Sequence, residues 1–253
     1  MVEELPLITA RVTDLPTGLD AIIATADLQG HVRTPRDDGM PRLLGEHLAE
    51  ELEVLAEVGE IPPLQNVGVI LAGDLYARPQ QDRRGGSGDV RSVWQAFADR
   101  CRWVVGVAGN HDMFGPEWSL PDLKEFMKRP KIHLLDGGFI ELDGFRIGGL
   151  SGIIGNPKKP LRRLEQDFSA EVARLASLGS DILVMHDGPD VEATDLYGWA
   201  SVRIALERSR PTFVIRGHAH WDNPLATLVN GTQVLNIDAR VVVIRSRPHN
   251  ADS

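Results

Sequence analysis

Apolar residues in this chain gather in short unbroken runs, set apart by polar clusters and by longer stretches with helical spacing. The runs at residues 21–25, 66–71, 103–108, 182–185 and 213–216 have the length and branched composition of buried strands. Between them, Leu43, Leu44, Leu48, Leu52 and Leu55 recur on one face and predict a helix within residues 39–58. A second helix is predicted near 90–100, with Trp94 and Phe97 turned to the core, and a short one over 121–128 with Pro121 in its first turn. Leu164, Phe168, Val172 and Leu175 predict a helix over 161–178, and another spans 199–208.

Two regions have a different texture. From 132 to 154, short apolar pieces are broken by Asp136-Gly137-Gly138 and Asp143-Gly144, and Asp-Gly between alternating apolar residues predicts antiparallel hairpins. The chain ends in a meander of 226–229, a turn at Asn230-Gly231, then 233–237 and 240–244. A β-α-β core with a central and a terminal hairpin predicts an α/β (α+β) fold: two mixed sheets facing each other under covering helices. Residues 1–245 are expected to form a single domain, with 246–253 as a frayed tail.

Composition narrows the function classes. At 253 residues the chain can bury a full core as one domain, and a hydrophobic fraction of 42% is ordinary for a globular protein. No apolar stretch approaches a membrane span, and Met1-Val2-Glu3-Glu4 lacks the basic start of a secretory signal. A single cysteine, Cys101, excludes an internal disulfide framework and suits a reducing cytoplasm; it reads as a packing residue at a helix end. The net charge of -9 argues against an extended electrostatic track for nucleic acid. The expected partner is therefore a small substrate, with neither membrane nor nucleic acid favoured; oligomeric state is left open.

The chemistry lies in five polar signatures, each placed directly after a predicted strand. They are Asp27-Leu28-Gln29, Gly73-Asp74, Gly109-Asn110-His111-Asp112, His186, and Gly217-His218-Ala219-His220. Taken singly, Asn110-His111-Asp112 reads as a polar turn and His186 as a satisfied core histidine. Delivered in this order from strand ends, carboxylates, an amide and imidazoles make a shared site for divalent ions such as Mn²⁺, Fe²⁺ or Zn²⁺. Gly217 and Ala219 are small enough to let backbone approach a metal pair. Asp74, lying between two clusters, is suited to bridge two cations that activate water against a phosphoryl group. His47 and His133 read as surface or packing residues, His249 as part of the tail, and Asp187 as a turn residue.

With these residues in place, the chain resembles the calcineurin-like metallophosphoesterases over residues 21–244. The pattern of that family is Asp-x-His, Gly-Asp, Gly-Asn-His-(Asp/Glu), a lone His and Gly-His-x-His. The resemblance implies a four-layer sandwich and two divalent ions, Mn²⁺ favoured with Fe, Zn or Mg as alternatives. Asp27 and His220 would hold the first ion, Asp74 would bridge, and Asn110, His186 and His218 would hold the second. It further implies that a hydroxide held by the metals attacks phosphorus while Asn110 shares the oxyanion charge. His111 would orient the phosphate and protonate the leaving oxygen, with Asp112 fixing its ring.

The departure is Gln29, where the family carries histidine. An amide oxygen is a harder and weaker ligand than imidazole. Gln29 either binds weakly, holds a water in its place, or leaves the first site to fill with substrate; a weaker, Mn²⁺-leaning first site is expected. His31 is an alternative donor two residues on. The implied function is a phosphodiesterase or phosphatase acting on a small phosphorylated metabolite or nucleotide. Competing readings are a nuclease and a degenerate member that binds phosphate ligands without turnover, the latter supported only by Gln29. The polar loop at 80–89 is no P-loop; it is a linker, or a lid carrying Arg78, Arg83 or Arg84. Gly149-Leu150-Ser151-Gly152 does not match a nucleophile elbow, because Ile153 stands where that motif needs glycine. Trp118, Tyr197, Trp199 and Trp221 lie near the motifs, Trp221 being the expected pocket wall.

Overall fold

The computed structural model describes residues 4–33, 41–78, 86–117, 119–210 and 212–247. Twelve strands build two six-stranded mixed sheets. The first five are β1 (Leu7–Val12), β2 (Ala21–Ala26), β3 (Val67–Leu71), β4 (Trp103–Gly106) and β5 (Ile132–Leu134). The remainder are β6 (Gly138–Leu142), β7 (Phe145–Leu150), β8 (Ile182–Met185), β9 (Phe213–Arg216), β10 (Leu225–Thr227), β11 (Gln233–Asn236) and β12 (Arg240–Ser246). One sheet runs β1-β12-β2-β3-β4-β5 and the other β6-β7-β8-β9-β11-β10. In the first, β2, β3, β4 and β5 are parallel neighbours, whereas β12 is antiparallel to β2. In the second, β7, β8, β9 and β11 are parallel, with antiparallel strands at both edges.

The unbroken apolar runs have a simple cause: the central strands are covered on both faces. Ile22, Ala24, Ile70, Val105, Val184 and Ile215 pack between the sheets. On the outer face of the first sheet, Ile23, Val69 and Val104 meet α1 (Leu44–Glu57) and α2 (Arg91–Arg100). A short α3 (Leu120–Phe126) closes this side; its first turn contains Pro121, and the Ser119 hydroxyl accepts a hydrogen bond from the Asp122 N–H. On the outer face of the second sheet, Leu183, Met185 and Val214 pack on α4 (Glu165–Ser177) and α5 (Ala200–Glu207). The result is helices, sheet, sheet, helices, as the patterning predicts. Trp94 and Phe97 are fully buried on α2. No described helix is long and apolar enough to cross a membrane.

Several expectations change. Strand β1 escapes the apolar-run criterion because it is an edge strand, alternating exposed and half-buried residues along Leu7–Val12. Only Asp143-Gly144 closes a hairpin, between β6 and β7; Asp136-Gly137 carries the chain from one sheet to the other. The terminal meander is also split, since β10 and β11 pair in the second sheet while β12 crosses back to lie between β1 and β2. Hydropathy cannot tell a hairpin from a crossover, because both join apolar strands through a polar turn. Ser246, assigned to the tail, closes β12 opposite Val12. Residues 161–163 precede α4 rather than open it, and Arg162–Arg163 pair with Ile153–Ile154. His249 and Trp118 fall outside the described residues.

Cys101 caps the end of α2 and is buried, and burial pushes its thiol up to about 12. Because the thiolate is the reactive form, native protein at pH 8 should show no reaction with Ellman's reagent over minutes. One thiol per chain should appear only when guanidinium is added.

Candidate metal centre

All five signatures lie where the parallel strands of the two sheets end, in the cleft between the sheets. Asp27 follows β2, Asp74 follows β3, Asn110 lies beyond β4, His186 follows β8 and His218 lies just after β9. Asp27, Asp74 and His218 have φ of 56°, 54° and 69°, a left-handed backbone that non-glycine residues adopt at a cost. Each turns the chain sharply at a strand end. The glycines of the Gly-Asp and Gly-Asn signatures have a packing reason. A Cβ on Gly73, at φ 88°, would fall 2.3 Å from the Gly109 nitrogen, and one on Gly109 would fall 2.1 Å from Asp74 Oδ1. The two loops touch through bare backbone.

Asp74, His186 and His218 each bring a ligand atom within 4.8 Å of the other two. The His186 and His218 rings are 5.0 Å apart, and His186 Nε2 stands 3.3 Å from Asp74 Oδ2. Gln29 is buried and its Nε2 donates to the same Asp74 oxygen at 3.2 Å. Asp27, also buried, accepts from the His218 backbone N–H at 2.9 Å. His111 donates its backbone N–H to Asp74 Oδ1 at 2.9 Å, while its ring Nδ1 lies 3.4 Å from the Ser87 hydroxyl. His220 stands apart, half of its side chain exposed and its Nδ1 2.9 Å from Asp238 Oδ2. His31 sits in the short pairing of His31–Val32 with Arg42–Leu43 and is not in this cluster.

The donor set fits divalent ions. Asn110 Oδ1 is buried without a hydrogen-bond partner, and His186 Nε2 meets no group in hydrogen-bond geometry. The Ala72 carbonyl oxygen, 2.7 Å from His186 Nδ1, can only accept, so that nitrogen carries a proton, and a metal ion would take Nε2 in place of the second proton. Asp238 orients His220 in the same way through Nδ1, while its Nε2 lies 3.4 Å from Arg240 Nη2. The electrostatics also ask for positive charge. Burial pushes the Asp27 carboxyl up to about 8 against the pull of His186. Burial acts equally on Asp74, yet the adjacent His186 holds it at about 2. His186 itself, although burial disfavours its cation, is raised to about 10 by Asp74 and Asp27. The protonated imidazole thus supplies the charge that a cation among these carboxylates would supply.

Two sequence expectations are corrected. Asp112 does not hold the His111 ring: its carboxylate accepts from the backbone N–H groups of Asp74, Leu75 and Gly109 at 2.8–2.9 Å, stapling the two ligand loops together. Trp221 is no pocket wall; it is 1% exposed, packs in the outer core of the second sheet and donates Nε1 to the Tyr197 carbonyl. Its place after a strand put it near the motif, but an indole that size is held by the core. Asp187 is a loop fastener, accepting from Ile154, Gly188 and the Trp199 indole. Reading the sequence missed Asp238 and Arg240. Arg240 Nη2 lies 3.4 Å from both ring nitrogens of His220 and donates to the Trp221 carbonyl. No motif marks either residue; only the crossing of β12 between the sheets brings them there.

Comparison with known proteins agrees with this fold. The family model described as calcineurin-like phosphoesterase matches residues 21–222. The chain belongs to the calcineurin-like phosphoesterases, a family of dinuclear metal-dependent phosphoric ester hydrolases. Among solved structures, it is similar to TT1561 of Thermus thermophilus, at 17% identity and a TM-score of 0.60, over 86% of this chain and 88% of that one. A second solved structure matches at 15% identity and a TM-score of 0.57, over 88% and 90% of the two chains. At these identities the likeness is one of fold. No curated protein matches the chain significantly.

Asp112→Ala tests the staple. It leaves three buried N–H groups unpaired, so urea unfolding should show a loss of about 3 kcal/mol or more. A loss below about 1 kcal/mol would mean the loops hold without it.

Proposed function

We propose that this protein is a metal-dependent phosphodiesterase or phosphatase acting on a small phosphorylated metabolite or nucleotide. The observation that carries this reading is the convergence of Asp74, His186 and His218 beside the unpartnered buried oxygen of Asn110. When bound, two divalent ions, with Mn²⁺ favoured, supply an activated water and neutralise phosphoryl charge. Asn110, His186 and His218 would hold one ion, Asp27, Gln29 and His220 the other, and Asp74 would serve both. Asn110 and His111 face the transferring phosphoryl group. His111 gives its proton to the leaving oxygen as the bond from phosphorus to that oxygen breaks, while water adds to phosphorus from the opposite side and gives up a proton to solvent. A net charge of -9 favours a small substrate over a nucleic-acid polymer. The lone buried Cys101 is in keeping with a reducing cytoplasm.

The two metal positions are unequal. Beside a carboxylate the Gln29 amide presents its NH₂ end, so its carbonyl oxygen is turned from the shared Asp74 oxygen. The Arg240 guanidinium against His220 adds positive charge to the same side. Both features weaken the first position and leave the second intact.

Calorimetric titration with Mn²⁺ should resolve one tight site and one at least about tenfold weaker, and Gln29→His should tighten the weaker one. Equal affinities in both proteins would refute the asymmetry. With bis-p-nitrophenyl phosphate, His111→Ala should lower kcat by about 10²–10⁴-fold with metal content unchanged. Loss of metal instead would place His111 among the ligands. No turnover with any divalent ion would end the hydrolase reading.

A further inference from the structure

A cavity of about 140 Å³ opens beside Asn110, and the phosphoester chemistry proposed above does not yet use it. One side is Asn110 and the exposed Ser87, whose hydroxyl faces the His111 ring. Apolar surface comes from Met113, Pro160 and Leu161, and the remaining wall from Lys159, Arg162 and Asp112, whose carboxylate is already taken up by the backbone N–H groups of Asp74, Leu75 and Gly109. The volume is well below the ~300–1,000 Å³ of pockets that engulf a whole ligand, so it suits one part of a substrate.

The wall is built, not draped. Its segment leaves β7 and is tied at once to the Asn110 loop: Ser151 Oγ accepts from Ala108 N–H at 3.0 Å, and Gly152 donates to the Ala108 carbonyl at 2.8 Å. Lys159 N–H donates to the Asn156 carbonyl and Lys158 N–H to the Asn156 side chain, closing a tight turn at Pro157. Leu161 is left-handed at φ 53°, and its carbonyl accepts from Ile153 at 3.0 Å. A Cβ on Gly152 would fall 2.2 Å from that carbonyl oxygen, so only glycine lets the turn seat. Arg163 secures the base through Ser151 and Asp136, whereas among the described residues Lys159 and Arg162 have no acidic partner. The Arg162 stem lies across Gly155 and its guanidinium reaches only the Pro160 carbonyl, at 3.4 Å. Two cations that form no ion pair among the described residues, set beside apolar lining, suit a ligand with an apolar body and a negative charge.

We infer that this cavity receives the leaving group of the ester, and that the preferred leaving group is a compact apolar or aromatic alcohol carrying its own anionic group. The inference rests on the phosphoesterase reading for the word "leaving", since His111, the proton donor of that reading, adjoins the cavity. It makes Lys159, Arg162 and Met113 specificity determinants.

The test compares 4-nitrophenol with its carboxylated counterpart, 5-hydroxy-2-nitrobenzoate, first as ligands of the Mn²⁺-loaded protein and then as the leaving groups of their symmetric phosphodiesters. The carboxylated phenol should bind at least about fivefold more tightly, and its diester should show a correspondingly lower KM. Lys159→Glu, at an exposed position, should abolish that preference without loss of Mn²⁺. Met113→Trp should weaken both phenols by about tenfold by filling the space. Equal binding of the two phenols, or a preference that survives Lys159→Glu, overturns the subsite. Absence of turnover with both diesters would count against the hydrolase reading alone, because the binding comparison still decides the cavity.

Discussion

Carboxylates held out of water at the seam between two sheets constrain this protein more than any other feature. Asp27 and Asp74 follow neighbouring parallel strands, and Asp112 and Asp238 are buried close by. Burying one unpaired carboxylate is costly, and burying several together is worse, because each raises the free energy of the others. The chain answers with backbone N–H groups aimed at Asp27, Asp74 and Asp112, and with His186 beside Asp74. Arg216, buried behind the seam, is a further counter-charge; burial pulls it down to about 10 while Asp187, Asp27 and Asp238 pull it back up. That balance leaves a pocket whose remaining demand is for cations, which is the chemical definition of a metal site.

The hydrogen bonds that satisfy these groups also join the two halves of the sandwich. Asp27 of the first sheet accepts from His218 of the second, and His186 of the second donates to the Ala72 carbonyl of the first. The site is therefore the fastening of the sheets at this edge as well as their cleft. Substitutions here carry two consequences, one for ligand geometry and one for how the sheets meet. The left-handed backbones at Asp27, Asp74 and His218 belong to the same arrangement, since local strain is tolerated where surrounding bonds over-determine it.

Gln29 changes this balance without dismantling it. It is as buried as its neighbours and keeps contact with Asp74, but as a hydrogen-bond donor. Arg240 adds positive charge near His220 on the same side. The alteration is local to Gln29 and its neighbours, while His186 and His218 still bring ligand atoms within 4.8 Å of Asp74.

The sequence alone determined much of this. Unbroken apolar runs marked β2, β3, β4, β8 and β9, because strands covered on both faces must be apolar throughout. The polar residues just after them announced the site, because parallel strand ends collect their loops on one edge. Gln29 was visible as a departure only against the pattern of the family that the chain resembles. What remained hidden depended on contacts between distant segments. Edge strand β1 carries no strong periodic signal, and nothing in 226–246 says that β12 leaves its neighbours to enter the other sheet. That crossing alone brings Asp238 and Arg240 to His220. Asp112 was legible as polar and close to His111, but three backbone donors from two loops outcompete one imidazole, and only the folded approach of those loops sets the count. Trp221 followed the motif in sequence and the core in space, because burying an indole outweighs its adjacency to a histidine. Pattern decides which segments are strands and where polar groups emerge; long-range packing decides which of those groups are left facing one another.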